Sequence, residues 1–358
     1  MLGLLAMGLT SIMIYTLVKN ALLGKQLSKD DHFNGNIELI IPITAKAELF
    51  LEEWKNAVSS FQLTSIRLKV HVLIDGHHSS HSAWQELKTK ISNLEIHTYP
   101  MRPDNVEPVS WMLDQIATKI TGQVVIIGDA ELVPTESAFL SVAKAVTENN
   151  RSYFVVPQTA KFNVLGEAIS VLNPTLAFAS FFGFRKWRRN FTHPLLSISQ
   201  GWMAMSLKTF KELDFRAVQI SSWKEAISRQ WDEQGKTYHL AFGEKHLLRF
   251  YPKDIKTLTY QLKDKWNELW NNRDKAAFWL FLASLFLWSF PVICLFTHPF
   301  WSIASFLLLL LYRFFSKIVF QESWRSIILH PVACFFWIGT LIWWLSGNLK
   351  SKHGSQAA

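Results

Sequence analysis

Cysteine is nearly missing from this sequence. There are two in 358 residues, Cys294 and Cys334, each inside an apolar run and without metal-site spacing. That scarcity argues against a disulfide framework or a zinc site. Glycine-rich nucleotide loops are missing as well: no P-loop, dinucleotide glycine pattern or serine-hydrolase elbow occurs, which sets aside the enzyme classes those loops serve. Acid is short against base, 28 Asp and Glu to 37 Lys and Arg, for a formal charge of +9. The surplus suits an anionic neighbour, a phosphate-bearing ligand or acidic lipid, and makes no case for nucleic acid. Charge is also lacking before Lys19. With no basic leader and no small-x-small cleavage pattern, residues 1–24 read as an uncleaved transmembrane anchor. Lys19, Lys25 and Lys29 then put its C-terminal side in the cytoplasm. No internal repeat or low-complexity tract is evident.

Aromatic residues are plentiful, with 16 Trp and 27 Phe gathered towards the C-terminal end, as at membrane interfaces. Ala276 to Phe296 and Phe300 to Phe320 are apolar runs joined by Thr297-His298-Pro299, and Ile327 to Leu345 is a third. Each approaches the roughly 20 apolar residues that cross a bilayer, so residues 276–347 read as about three transmembrane helices before a polar tail, 348–358. Arg313, Lys317 and Arg325 place the loop after the second run in the cytoplasm. Lys350 and Lys352 would face outward, against that bias. Residues 256–275 form an amphipathic stretch with Trp266 and Trp270 and read as interfacial. Ala168 to Phe184 is apolar and ends in Arg185-Lys186-Trp187-Arg188-Arg189. The cluster suits a helix lying on acidic headgroups. A core helix with a solvated basic end fits it equally.

Between these segments, short apolar runs alternate with helix-like ones. Strands are expected at Ile37 to Pro42, Leu68 to Ile74, Leu94 to Tyr99, Val124 to Ile127, Ser152 to Pro157 and Thr237 to Phe242. Helices are expected at Glu48 to Phe61, Ser82 to Ile91, Val109 to Ile120 and Trp223 to Gly235. Such alternation implies an α/β fold with a doubly wound, mainly parallel sheet over residues 36–255. The run Val124-Val125-Ile126-Ile127-Gly128-Asp129-Ala130-Glu131 anchors it: an unbroken apolar strand running into two carboxylates one residue apart. Ligands of open α/β sheets collect at the carboxyl ends of their strands. Carboxylates there can hold a divalent cation against a diphosphate, or they can simply form an acidic turn.

In this order and spacing, the segments resemble membrane-anchored family 2 glycosyltransferases, the inverting nucleotide-sugar enzymes with a GT-A fold. Bacterial types that act on carotenoid- or hopanoid-like lipids are the nearest in appearance. Pro42, ending the first strand, matches a family proline, without the Arg-Asn that follows it there. Asp75 in Ile74-Asp75-Gly76 matches an acid that the resemblance implies holds the nucleotide base; Asp-Gly is also a good turn. Val109 to Gln115 resembles a family helix whose Gly-Lys is missing here. Asp129-Ala130-Glu131 falls where the family has its metal-binding Asp-Ala-Asp, which implies Mg2+ or Mn2+ on Asp129 and Glu131. Gln200-Gly201-Trp202 resembles the acceptor-side strand, where Gly201 lets backbone approach a ligand or simply starts a tight strand. Arg249-Phe250-Tyr251 resembles an Arg-x-Tyr element and implies diphosphate contact by Arg249.

Inversion needs a base on the acceptor hydroxyl. The position the family gives to it falls on Ser222 or Trp223, which cannot serve. Glu225, one helical turn inward, is the nearby carboxylate, either a substitute base or an acid favouring the helix start. His77, His78, His193 and His246 show no ligand spacing. The expected protein is therefore a multi-pass cell-membrane enzyme with a cytoplasmic globular domain. It would pass sugar from a nucleotide-diphosphate donor to a lipid-like or envelope acceptor, with membrane lipids as partners and no nucleic acid. The alternative is a catalytically degenerate relative kept for binding or scaffolding. A transporter-like role is weaker, because the closing helices carry few ionisable groups.

Overall fold

A computed structural model describes residues 2–23, 25–26, 33–43, 54, 67–75, 81–90, 93–99, 106–129, 132–159, 172, 176–177, 201–216, 223–236, 238–242, 247–249, 254–271, 275–293, 299–320 and 324–354. The chain divides into two compact units. One takes residues 1–23, 159–187 and 251–358, and the other takes 24–158 and 188–250. Helix α1 (Leu2–Leu23) opens the first unit.

The second unit is built on sheet. In chain order it holds β1 (Lys25–Gln26), β2 (Asn36–Ile43), β3 (Arg67–Asp75), α2 (His81–Lys90), β4 (Leu94–Tyr99), α3 (Pro108–Ala117), β5 (Val124–Ile127), β6 (Leu132–Pro134), α4 (Glu136–Asn149) and β7 (Ser152–Val156). The short strand β8 (Gln158–Thr159) straddles the boundary between the units, and then come β9 (Trp202–Ser206), α5 (Leu207–Lys211), α6 (Trp223–Glu233), β10 (Tyr238–Phe242) and β11 (Leu247–Arg249). Eight strands run in the order β1-β10-β7-β9-β5-β2-β3-β4, and β6-β11-β8 make a smaller sheet. All described pairings of the large sheet are parallel except those of β9 with β5 and β7. The expected mainly parallel sheet is present, and β9 makes it mixed.

The apolar strands explain themselves. β5 is buried at all four positions, because β2 and β9 flank it and helices cover the sheet. Ile37, Leu39, Ile41, Val70, Val72, Val124 and Ile126 point to one face and join a core with Trp54, Trp84 and Phe139. Pro42 lies beyond the last β2–β5 pair, Ile40 with Ile127, so its missing N–H costs no bond to β5. Caps set the helix starts. Glu107 accepts from the Ser110 N–H at 2.6 Å with Pro108 in the first turn of α3, and Ser206 accepts from the Thr209 N–H ahead of α5.

The opposite face of β2, β3 and β4 carries polar groups. Glu38 (3 % exposed) and His71 (0 %) are buried there. Glu38 accepts from the Thr121 N–H and hydroxyl, at 3.2 and 3.1 Å. Its Oε2 lies 3.3 Å from His71 Nε2, close enough for the ring to favour the charged carboxylate. Burial raises the Glu38 pKa, but His71 and the Thr121 donors outweigh it and hold the carboxyl below its usual value. Burial, then the neighbouring His71 and Lys119, pushes His97 down to about 4. Burial lifts Tyr99 to about 12.

The first unit continues with α7 (Ile255–Asn271), α8 (Ala276–Ile293), α9 (Pro299–Phe320), α10 (Trp324–Ile328) and α11 (His330–Gly354). α1 packs on α9. The expected third apolar helix is divided in two, since Pro331 has no N–H to continue the ladder. Trp266 is buried among Phe278, Phe281 and Trp337 and donates to Thr340 Oγ1 at 3.2 Å. Trp270 is exposed. Arg313, expected at a loop-facing helix end, is fully buried and donates to Ser316 at 3.2 Å. Among the described residues, no helix is long and apolar enough to cross a membrane.

Candidate functional site

Asp129 leaves the carboxyl end of β5, and Asp75 ends β3. With β2 between those strands, the two acids stand on the same edge, about 10 Å apart laterally at the usual strand spacing. Gly128 is tied to β2 through its N–H and the Ile40 carbonyl, 3.0 Å apart. A Cβ on Gly128 would lie 2.6 Å from Trp202 Nε1. Trp202 is fully buried and stacks on Phe139, ring centroids 5.1 Å apart. Glycine is thus required before Asp129 because an indole occupies the space. Gly201 has a comparable reason: a Cβ there would meet Phe154 Cζ and the Val155 carbonyl oxygen at 2.6 Å. The backbone that Gly201 lets approach is that of β7.

Helix α6 brings the next group. Trp223, Ala226, Ile227 and Trp231 are buried at helical spacing, which gives the helix one inward face. Lys224 goes in with them at 5 % exposure. Its Nζ donates to Asp129 Oδ2 at 2.6 Å and lies 5.3 Å from the Trp223 ring centroid. Lysine is rarely buried unless paired, and here the partner is the central carboxylate of the site. Reading the sequence missed Lys224. The available signal is its place on one face with the buried Ser228 and Trp231, at i, i+4 and i+7. Glu225 follows directly, and the backbone places it in the first turn of α6, beside the residue that reaches Asp129.

The third contribution is β11. It pairs antiparallel with β6, and Arg249 is the register partner of Leu132. Leu132 in turn donates its N–H to the Asp129 carbonyl at 3.0 Å. Asp129, the start of α6 and Arg249 are therefore brought together from stretches that span more than a third of the chain. Pro42 sits at the same carboxyl edge, opposite Leu73. Glu131, the Arg185-Lys186-Trp187-Arg188-Arg189 cluster, the helix expected at Glu48 to Phe61 (Trp54 apart), and His77, His78, His193 and His246 lie outside the described residues. An oxygen ligand at the carboxyl edge suits Mg2+ or Mn2+. With Lys224 on Oδ2, the carboxylate of Asp129 already faces one positive charge.

A mixed, mainly parallel sheet with acids at its carboxyl edge and a helix start beside them is consistent with a GT-A-like α/β fold. No protein-family model matches the chain, and no curated protein sequence does. Solved structures do. One is the mannosyltransferase PcManGT from Pyrobaculum calidifontis, in complex with GDP-Man and Mn2+; the TM-score is 0.50 at 12% identity, covering 96% of this chain and 99% of that one. Another is S. aureus TarS, with a TM-score of 0.39 at 11% identity, covering 74% of this chain and 44% of that one. The first likeness shows that this chain has a glycosyltransferase-like fold, and the second carries no argument.

Proposed function

We propose that this protein is an inverting glycosyltransferase of the family 2 type, using a nucleotide-diphosphate sugar. The observation that carries the reading is the convergence of Asp129, the start of α6 and Arg249 at the carboxyl edge of the sheet. That the similar mannosyltransferase structure holds GDP-Man and Mn2+ supports the same donor class. Asp75 would hold the base and Arg249 the diphosphate, while Pro42 and Gly201 shape the walls. Asp129 and Glu131 would hold Mg2+ or Mn2+, which when bound supplies positive charge to the departing diphosphate. Glu225 takes the proton of the acceptor hydroxyl. The acceptor oxygen then bonds to the anomeric carbon as the bond to the diphosphate oxygen breaks, and the nucleoside diphosphate leaves with that electron pair.

The acceptor is lipid-like and the setting is the cytoplasmic face of a cell membrane. Support comes from the helical unit. Leu4, Leu5, Ile12, Phe300, Leu307 and Phe335 expose their apolar side chains, an arrangement suited to acyl chains rather than water. An apolar cavity of about 500 Å³ beside α7 and α11, lined by Val332, Phe335, Phe336 and Trp343 among others, is the kind of space a lipid tail fills. The multi-pass topology and the docking of Arg185–Arg189 on acidic headgroups belong to the same proposal.

The test is transfer from a panel of nucleotide sugars to a lipid extract in the presence of Mn2+. Glu225→Gln should keep donor binding and lower transfer about 10²–10⁴-fold, the usual worth of a general base. Asp129→Asn should weaken donor binding itself. Donor binding without transfer in the parent protein would instead identify a non-catalytic binder. No donor binding at all would overturn both.

A further inference from the structure

Three ligand atoms converge on the polar face of β3 and β4, away from the site described above. His71 Nδ1 lies 3.0 Å from His97 Nε2, 3.6 Å from Glu95 Oε2, and that oxygen is 3.5 Å from His97 Nε2. Tetrahedral zinc with bonds of 2.0–2.1 Å separates its ligand atoms by about 3.3 Å. The observed triangle brackets that spacing without any rearrangement. We propose that His71, Glu95 and His97 form a zinc-binding site, with the fourth position open to water.

The surroundings fit such a site. If His71 gives Nδ1 to the metal, its Nε2–H faces Glu38 Oε2 at 3.3 Å, and Glu38 is itself fixed by Thr121. A carboxylate behind a ligating histidine is the usual arrangement that sets its tautomer and raises its basicity. Lys69 holds the other oxygen of Glu95 at 2.7 Å, leaving Oε2 for the metal. Glu95 is 45 % exposed, which provides a way in. Two imidazoles and one carboxylate select a borderline cation such as zinc over Mg2+ or Mn2+. The site is therefore chemically distinct from the one at Asp129. It is separate in space too: His71 lies four residues back from Asp75, about 13 Å along the strand.

The register accounts for the geometry. Glu95 is the direct partner of His71 across the β3–β4 ladder, and His97 is two residues further on the same face. β4 is the edge strand of the sheet. Zinc here would clamp the edge strand to β3 and, through Glu38, to β2.

The test uses the full chain, stripped with a chelator and titrated with Co2+ and then Zn2+. A single equivalent of cobalt should give the visible bands of a tetrahedral site, and zinc should displace it. His97→Ala and the more exposed Glu95→Gln should each abolish the bands, with far-UV circular dichroism unchanged. Glu38→Gln should weaken zinc about 10–100-fold, the usual cost of losing such a supporting carboxylate. Asp129→Asn should leave the bands as they are. Absence of cobalt binding, or binding that survives both His97→Ala and Glu95→Gln, would overturn the site and show a plain His–His contact. Neither result bears on sugar transfer.

Discussion

Holding a lysine ammonium inside a protein is costly unless an anion faces it, and Lys224 meets that need with Asp129 at 2.6 Å. The same carboxylate is the one that would face a divalent cation, so lysine and metal compete for its charge. Lys224→Met should lower stability to urea by about 1–3 kcal/mol, the cost of leaving a partly buried acceptor without its donor. Mn2+ should then return more stability to the variant than it adds to the parent, because a ligand of the folded state stabilises it more the tighter it binds. If the loss is the same with and without Mn2+, Asp129 is not a cation ligand. At this scale the sequence showed the acid but hid its partner. The two residues are 95 apart in the chain, and nothing local to either marks the other.

At the scale of elements, Gly128 is the joint between β5 and the loop that carries Asp129. Its place is set by β9, the antiparallel strand, which packs the Trp202 indole where a Cβ would stand. Gly128→Ala should destabilise by about 1–3 kcal/mol through overpacking. Combining it with Trp202→Phe should recover part of the loss, since the smaller ring vacates the contact. Additive losses in the double variant would mean that glycine serves the backbone and not the indole. The elements themselves were largely legible. Strands at Leu94–Tyr99 and Val124–Ile127 fall where the apolar runs place them, and Asn36–Ile43 and Arg67–Asp75 differ by about a residue at each end. The helix at Glu136–Asn149 and the short strands Leu132–Pro134 and Leu247–Arg249 were not anticipated. Three-residue strands carry too little pattern to read, and these two exist because they pair with each other.

For the whole molecule, the helical unit raises the question of setting. Its exposed Phe, Leu and Trp side chains would be a liability in water and an asset in lipid. Under the proposed membrane setting, reporter fusions after Lys29 and after Lys317 should both report cytoplasm, by the bias of the flanking bases. A signal from the far side at either point would refute the topology, and with it the access of the site to cytoplasmic nucleotide sugars. Two tryptophans of one amphipathic helix illustrate how packing reassigns residues. Trp266 enters the core of the unit while Trp270, one turn on, remains exposed. Periodicity marks an apolar face but leaves open what will cover it.

The sequence by itself determined the alternation of strand and helix, the unbroken apolar runs that a doubly covered sheet needs, and the acid at the end of β5. These are properties of neighbouring residues, and period and run length express them directly. Only the tertiary structure decided which distant side chains meet. Strand order put β2 between β3 and β5 and so aligned Asp75 with Asp129. Helix α6, docked by its tryptophans, delivered Lys224 to Asp129. The β3–β4 register set His71, Glu95 and His97 within reach of one another, although the sequence shows no metal spacing. Such contacts depend on how strands line up across a sheet, and that alignment is fixed by the burial of the whole core rather than by any one segment.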